Sequence, residues 1–206
     1  MKINLRNNYS RDFFKKLNFQ FNSGYKILDL GCGNGADSYY FIKDYKLHTF
    51  AIDIYEHGNI KKINGLTFKI GSIYDTPYPI NSFDYVFLHD VLHHIDEPKQ
   101  RRSMCLKGLR NIKRVTKKGG YIIIAEGNRY NPLFYPHMVK LHKHEHFTQD
   151  YFKGIINQVF SQVEYKYFEA HSYPRFTYTF FKVYEFIMEH LIPKQFLAYN
   201  IAIIRV

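Results

Sequence analysis

Three glycines and two carboxylates carry the clearest chemistry in the chain. The stretch Ile27-Leu28-Asp29-Leu30-Gly31-Cys32-Gly33-Asn34-Gly35 sets glycines at alternate positions directly after an apolar run. Glycine admits a positive φ and lets a ligand approach where a Cβ would collide. A helix opening after such a loop presents unpaired N–H groups to that ligand. Asp29 precedes the first glycine by two residues. A carboxylate there repels a pyrophosphate and suits a ligand carrying an ammonium. Asp53 ends a second apolar run, Phe50-Ala51-Ile52, where a carboxylate can accept both hydroxyls of a ribose. Gly31-x-Gly33-x-x-Ala36 also fits the dinucleotide fingerprint. The residues alone therefore indicate an adenosine-type ligand and leave its remainder open.

Histidine is the side chain suited to proton transfer near neutral pH. Of eleven histidines, two groups stand beside the expected site: His89, His93 and His94, then His142, His144 and His146. The candidate bases are His89, His144 and His146, and no catalytic residue is assigned among them. The second group, with Glu145, has metal-ligand residue types. No cysteine accompanies it and no His-Glu-x-x-His occurs, so a metal is not expected.

These residues need elements to position them. Short apolar runs at 25–30, 48–54, 66–70, 83–88 and 121–125 read as five strands, and 163–168 and 197–204 as two more. Helices are expected at 11–21 with Ser10 as N-cap, at 36–45, at 98–115 and at 147–160. Strands alternating with helices predict an α/β fold: a Rossmann-like, seven-stranded, mostly parallel sheet with helices on both faces and an antiparallel edge strand. An aromatic-rich helical insertion at about 172–193 falls between the last two strands. The whole chain, 1–206, reads as one domain: an N-terminal helical cap (1–24), a ligand-binding core (25–126) and a substrate-side half (127–206).

With those elements in place, the chain resembles the class I S-adenosylmethionine-dependent methyltransferases, in particular the methyltransferase type 11 subgroup. The resemblance rests on 27–35, on Asp53, on 71–86, on Leu88-His89-Asp90-Val91-Leu92-His93-His94-Ile95, and on Arg114-Val115-x-x-x-Gly119-Gly120. It implies S-adenosyl-L-methionine as cofactor. It also implies that Asp29, Gly31 and Gly33 line the methionyl part, with Cys32 a further contact of the same loop. Asp53 would hold the ribose, Ile54 would lie against the adenine, Ser72 and Ile73 would edge the ring, and His89 would sit near the methionyl group. The family commonly carries Asp where this chain has Ser72. The [Asn/Asp]-Pro-Pro-Tyr motif of base amino-group methylation is absent after the fourth strand, where His89-Asp90-Val91-Leu92 stands.

Composition bears on the acceptor. The 206 residues are 46% hydrophobic, with a formal net charge of +11 and two cysteines. These values argue against disorder and against a disulfide scaffold. With no apolar signal segment at the start, they predict a cytoplasmic protein, with peripheral membrane association a further expectation. The excess charge favours an anionic partner, RNA or an anionic membrane surface, through the basic helix 98–118. There Lys107, Arg110, Arg114 and Lys117 form one expected stripe. In the insertion, Phe176, Phe180, Val183, Tyr184, Ile187 and Leu191 form an apolar stripe. That stripe predicts core packing, an apolar acceptor pocket, or contact with a membrane or a second copy in a homodimer. The expected function is methyl transfer to a small or lipid-like acceptor by in-line displacement. The alternatives are a tRNA or RNA methyltransferase and a non-catalytic, cofactor-binding partner subunit.

Overall fold

Seven strands form a single sheet in the order β3-β2-β1-β4-β5-β7-β6. The computed structural model describes residues 8–206 apart from Pro98, His144 and Pro174, and not the side chains of Asn8 and Arg175. The strands are β1 (Lys26–Leu30), β2 (His48–Asp53), β3 (Leu66–Ile70), β4 (Phe83–His89), β5 (Thr116–Gly127), β6 (Val163–Phe168) and β7 (Tyr199–Arg205). The pairs from β3 across to β5 are all parallel. The antiparallel strand is β7, which lies between β5 and the edge strand β6 and opposes both.

Period-two alternation divides the strand side chains between two cores. Leu28, Val86, Leu88, Ile122, Ile124 and Ile204 face α3 (Arg102–Val115) and α4 (Gln149–Ile156), meeting Cys105, Leu109, Ile112, Phe152 and Ile155. Ile27, Tyr85, Phe87, Ile123 and Ile201 face α1 (Asn8–Leu17) and α2 (Ala36–Lys43), meeting Phe13, Phe14, Leu17 and Phe41. The topological switch lies between β1 and β4. There the chain order reverses and the loops after the strands splay apart, opening a crevice at their carboxyl ends.

Several helix bounds differ from expectation. Helix α1 starts ahead of Ser10, which is buried inside the helix and is not its N-cap. It ends at Leu17 because Asn18 adopts φ 46, a left-handed turn that Asn tolerates. Helix α3 starts at Arg102, after Asp96 and Gln100 turn with positive φ. Helix α4 is shorter than 147–160 because the Thr148 side chain caps it, accepting from the Tyr151 N–H. A one-turn-and-more π-helix at Tyr135–Leu141 was not anticipated.

One surface expectation is corrected, and another, left open in the sequence, is narrowed. Lys117 belongs to β5, not to the basic helix, and pairs with Asp84 at 2.6 Å. Arg114 is also engaged, donating to the Tyr78 and Thr76 carbonyls, so the basic stripe is partly consumed in holding the fold. The insertion forms α5 (Tyr178–Leu191), and most of its apolar stripe points outward: Phe176 is 89% exposed and Leu191 72%, while Tyr184 is half-buried against His171. The inward face is set by ion pairs. Lys16 of α1 reaches Glu185 and Glu189 at 3.0 and 2.8 Å, and Lys182 reaches Asp12 and Glu185 at 2.9 and 2.8 Å. Buried Glu185 has to face these cations, which fixes the helix rotation.

Candidate active site

A cleft of about 690 Å3 opens at the carboxyl ends of β1, β2 and β4. Gly31, Gly33, Asp53, Ile54, Ser72, Ile73 and His89, all singled out in the sequence, line it together with Asp90 and His94. Asp29 and Cys32 do not line it. Both are buried beneath the loop.

The glycine loop owes its shape to backbone geometry. Gly31, Gly33 and Gly35 have φ of 75, 51 and 80. A Cβ on Gly31 would lie 2.5 Å from Val91 Cγ2, and one on Gly35 would lie 2.5 Å from Ile63 Cδ1. A Cβ on Gly33 meets nothing within 4 Å, so that glycine keeps the cleft wall bare. The Gly31 and Cys32 N–H groups both donate to the Ile52 carbonyl. The Gly33 N–H donates to Asp53 Oδ2 at 2.8 Å, which joins the loop to the end of β2. Ile54 stands 75% exposed at the mouth. Ser72 accepts from the Tyr74 N–H.

Beneath the loop, the Asp29 carboxyl accepts from Ser38 Oγ at 2.5 Å. Burial, reinforced by the negative charge of Asp37, raises its pKa to about 7. The Cys32 thiol is pushed well up by burial and the neighbouring carboxylates, so it stays protonated and unreactive.

A polar chain runs along the far wall. His89 Nδ1 meets Asp37 at 2.8 Å. Burial alone would lower the His89 pKa. The Asp37 charge and hydrogen bond override it and raise the value to about 9, so His89 is a cation at neutral pH. Its Nε2 then donates to the Tyr9 hydroxyl at 2.7 Å. Tyr9 donates to the Tyr199 hydroxyl at 2.6 Å, and Tyr199 donates to Asp90 Oδ2 at 3.0 Å. Asp90 also accepts from the Gly127 N–H through Oδ1, and holds a left-handed φ of 54. Burial works to raise the Asp90 pKa, but His89 and His93 more than offset it and hold the carboxyl below its usual value.

Glu126, fully buried at the end of β5, was not anticipated. It accepts from the Val91 and Leu92 N–H groups at 2.9 and 2.6 Å and from His93 Nδ1 at 2.7 Å. Burial pulls the His93 pKa down, and the Glu126 charge raises it above the ordinary value. His146 packs against His93 with ring centroids 4.4 Å apart. Burial and then the nearby His93 lower its pKa to about 4, so it is neutral. The two histidine groups of the sequence thus meet through His93 and His146. His144 lies outside the described residues.

This arrangement offers a bare backbone surface, a carboxylate at the end of β2, a buried carboxyl beneath the loop, and a second polar wall at β4 and β5. It suits a ribose-bearing ligand extended towards a second molecule. Residues 21–172 match the model of a methyltransferase domain family. An uncharacterised methyltransferase of Schizosaccharomyces pombe is 33% identical over 127 residues, 54% of this chain and 43% of that protein. A phosphoethanolamine N-methyltransferase of Triticum aestivum is 31% identical over 112 residues, 50% of this chain and 20% of that protein. The chain thus matches less than half the length of these relatives. A solved Haemonchus contortus phosphoethanolamine N-methyltransferase 2, in complex with S-adenosyl-L-methionine, superposes with a TM-score of 0.63 at 18% identity, covering 96% of this chain and 52% of that one. With its fold shared and most of its length matched by the family model, the chain belongs to the methyltransferase domain family.

Proposed function

We propose that this methyltransferase domain carries a methyl group from S-adenosylmethionine to a small or lipid-like acceptor by in-line displacement. The observation that carries the reading is the cleft itself, where bare Gly33 and the Asp53 carboxylate stand side by side. The residues fit the cofactor. Asp53 has acceptor oxygens for a ribose diol, exposed Ile54 offers an apolar surface for adenine, and the buried Asp29 carboxyl gains from a nearby ammonium. Gly31 and Gly33 would hold the methionyl part, with Ser72 and Ile73 at the adenine edge and His89 on the opposite wall, while Cys32 is buried away from the cleft. When bound, the cofactor supplies a sulfonium methyl already activated for displacement.

The protein's own task is to orient, to exclude water and to manage a proton. Orientation of this kind can supply ~7–11 kcal/mol in well-fitted sites. Tyr9 of α1 closes the wall over His89 and anchors to β7 through Tyr199, so the N-terminal helix shields the acceptor end. Cationic His89 cannot take a proton. No base is assigned for an acceptor that must lose one.

The outward apolar face of α5 supports a lipid-like acceptor or a membrane-surface encounter, since Phe180, Val183, Ile187 and Leu191 stand exposed. A homodimer through the same face is the competing use. An RNA acceptor is less well supported, because Arg114 and Lys117 are already engaged. No described helix is long and apolar enough to cross a membrane. The test is transfer of labelled methyl from S-adenosylmethionine to small polar amines, apolar phenols, phospholipid vesicles and RNA. Label in the small-molecule or lipid fraction is expected. Label in RNA alone, or in none of them, overturns the reading.

A further inference from the structure

One buried cluster beside the cleft is not needed by that reading. Asp90, His93 and His146 each bring a ligand atom within 4.8 Å of the others. His146 is 5% exposed, yet neither of its ring nitrogens has a hydrogen-bond partner among the described residues. Burying an imidazole with both polar atoms unmet is unfavourable, so some group must compensate. Gly127 keeps the space beside the ring clear: a Cβ there would lie 2.8 Å from His146 Nδ1 and 3.5 Å from Asp90 Oδ1.

We propose that Asp90, His93 and His146 bind a divalent first-row transition ion, Zn2+ foremost, between the cofactor cleft and the acceptor side.

The donor set is two imidazoles and one carboxylate, the set that suits such ions. The supporting contacts are those a metal-binding histidine needs. Glu126 accepts the His93 Nδ1 proton at 2.7 Å, which leaves Nε2 as the nitrogen with a lone pair to give. Glu126 is itself pinned by the Val91 and Leu92 N–H groups. Asp90 is aimed by the Gly127 N–H and the Tyr199 hydroxyl, each using one carboxylate oxygen and leaving lone pairs free. Ligand atoms around Zn2+ stand roughly 3.3 Å apart, from bond lengths of about 2.0–2.2 Å. The three ligand atoms, already within 4.8 Å of one another, need to draw in by no more than about 1.5 Å to reach that spacing. Three protein ligands leave a fourth position for water or an oxygen of the acceptor. Asp90 lines the cleft, so that position is reachable from it.

The experiment is calorimetric titration of chelator-stripped full-length protein with Zn2+, with visible absorption of the Co2+ form as a second readout. Wild type should bind one ion per chain and show imidazole-bound Co2+ bands. His93→Ala, His146→Ala and Asp90→Asn should each weaken binding at least tenfold. A His137→Ala/His142→Ala variant, altered only at exposed positions, should bind as wild type. No binding by wild type overturns the proposal and leaves His146 to a buried water. Unchanged binding in His93→Ala and Asp90→Asn, or loss only in the His137/His142 variant, overturns it too and moves the ion to the exposed segment. Should the alanine variants fail to fold, Asp90→Asn and the surface variant still decide, since Asn also tolerates the left-handed turn at that position.

Discussion

Replacing Gly33 and Gly31 by alanine, one at a time, separates what the loop does for the ligand from what it does for the fold. Both glycines sit at positive φ, 51 and 75. An L-residue there pays about 1–2 kcal/mol of backbone strain. At Gly33 the new methyl meets no protein atom within 4 Å, so strain is the whole structural effect. For a chain of this size about 1 kcal/mol moves Tm by roughly 2–4 °C, so Gly33→Ala should lower Tm by about 2–8 °C. The methyl projects into the cleft proposed to hold the cofactor, and S-adenosylhomocysteine affinity should fall at least about tenfold, a loss of ~1.4 kcal/mol or more. At Gly31 the Cβ lands 2.5 Å from Val91 Cγ2 and 3.0 Å from Cγ1. Overpacking adds about 1–3 kcal/mol to the strain, for a total of about 2–5 kcal/mol and a Tm loss of about 4–20 °C. Differential scanning fluorimetry and calorimetric titration read the two effects. Wild-type affinity in Gly33→Ala, or a Gly31→Ala protein as stable as Gly33→Ala, would refute the reasoning.

Three further outcomes are expected. The Asp29 carboxyl, raised to about 7 from an unfolded value near 4, favours the folded state fully below pH 4 and loses that contribution as pH rises through 7. Asp29→Asn should flatten the fall of Tm over that range, and an ammonium-bearing ligand should bind wild type more tightly at pH 7.5 than at pH 5.5 with proton release, seen by titration in buffers of differing ionisation enthalpy. Lys16→Ala removes the α1 partner of buried Glu185 and of Glu189; it should cost about 1–3 kcal/mol and expose α5 to limited proteolysis, and an unchanged digestion pattern would contradict the docking described. Phe180→Ser with Leu191→Ser touches only exposed positions, so stability should change by no more than about 0.5 kcal/mol per site, while sedimentation with anionic vesicles should drop; undiminished sedimentation would remove the membrane use of that face.

The features legible in the sequence were those encoded locally. The alternate glycines, Asp29 and Asp53 sit within short segments whose apolar runs declare strands, and the cleft gathers its loop, β2 and β4 residues at one sheet edge. What escaped was assembled from afar. Glu126 and Asp90 are brought together because β4 and β5 pair in parallel, His89 opposite Ala125, and His146 arrives from a loop beyond the π-helix. Glu126 alone reads as a strand end, and His146, a candidate base in the sequence, gives no local sign of its neighbour His93. The rotation of α5 stayed open in the sequence for a related reason. Its apolar periodicity was visible, but the inward face is chosen by Glu185 and Lys182 meeting Asp12 and Lys16, partners about 170 residues away in the chain. Helix ends were blurred where a single capping residue, Thr148 or Asn18, decided them.

The most direct test of the central claim is calorimetric titration of wild type and Asp53→Ala with S-adenosylhomocysteine, beside NADH. The account predicts one-site binding of S-adenosylhomocysteine alone, weakened at least about tenfold in the variant, since charged hydrogen bonds of this kind contribute ~1.5–3 kcal/mol each. Equal affinity in the variant with Tm unchanged, or a preference for NADH, would contradict it.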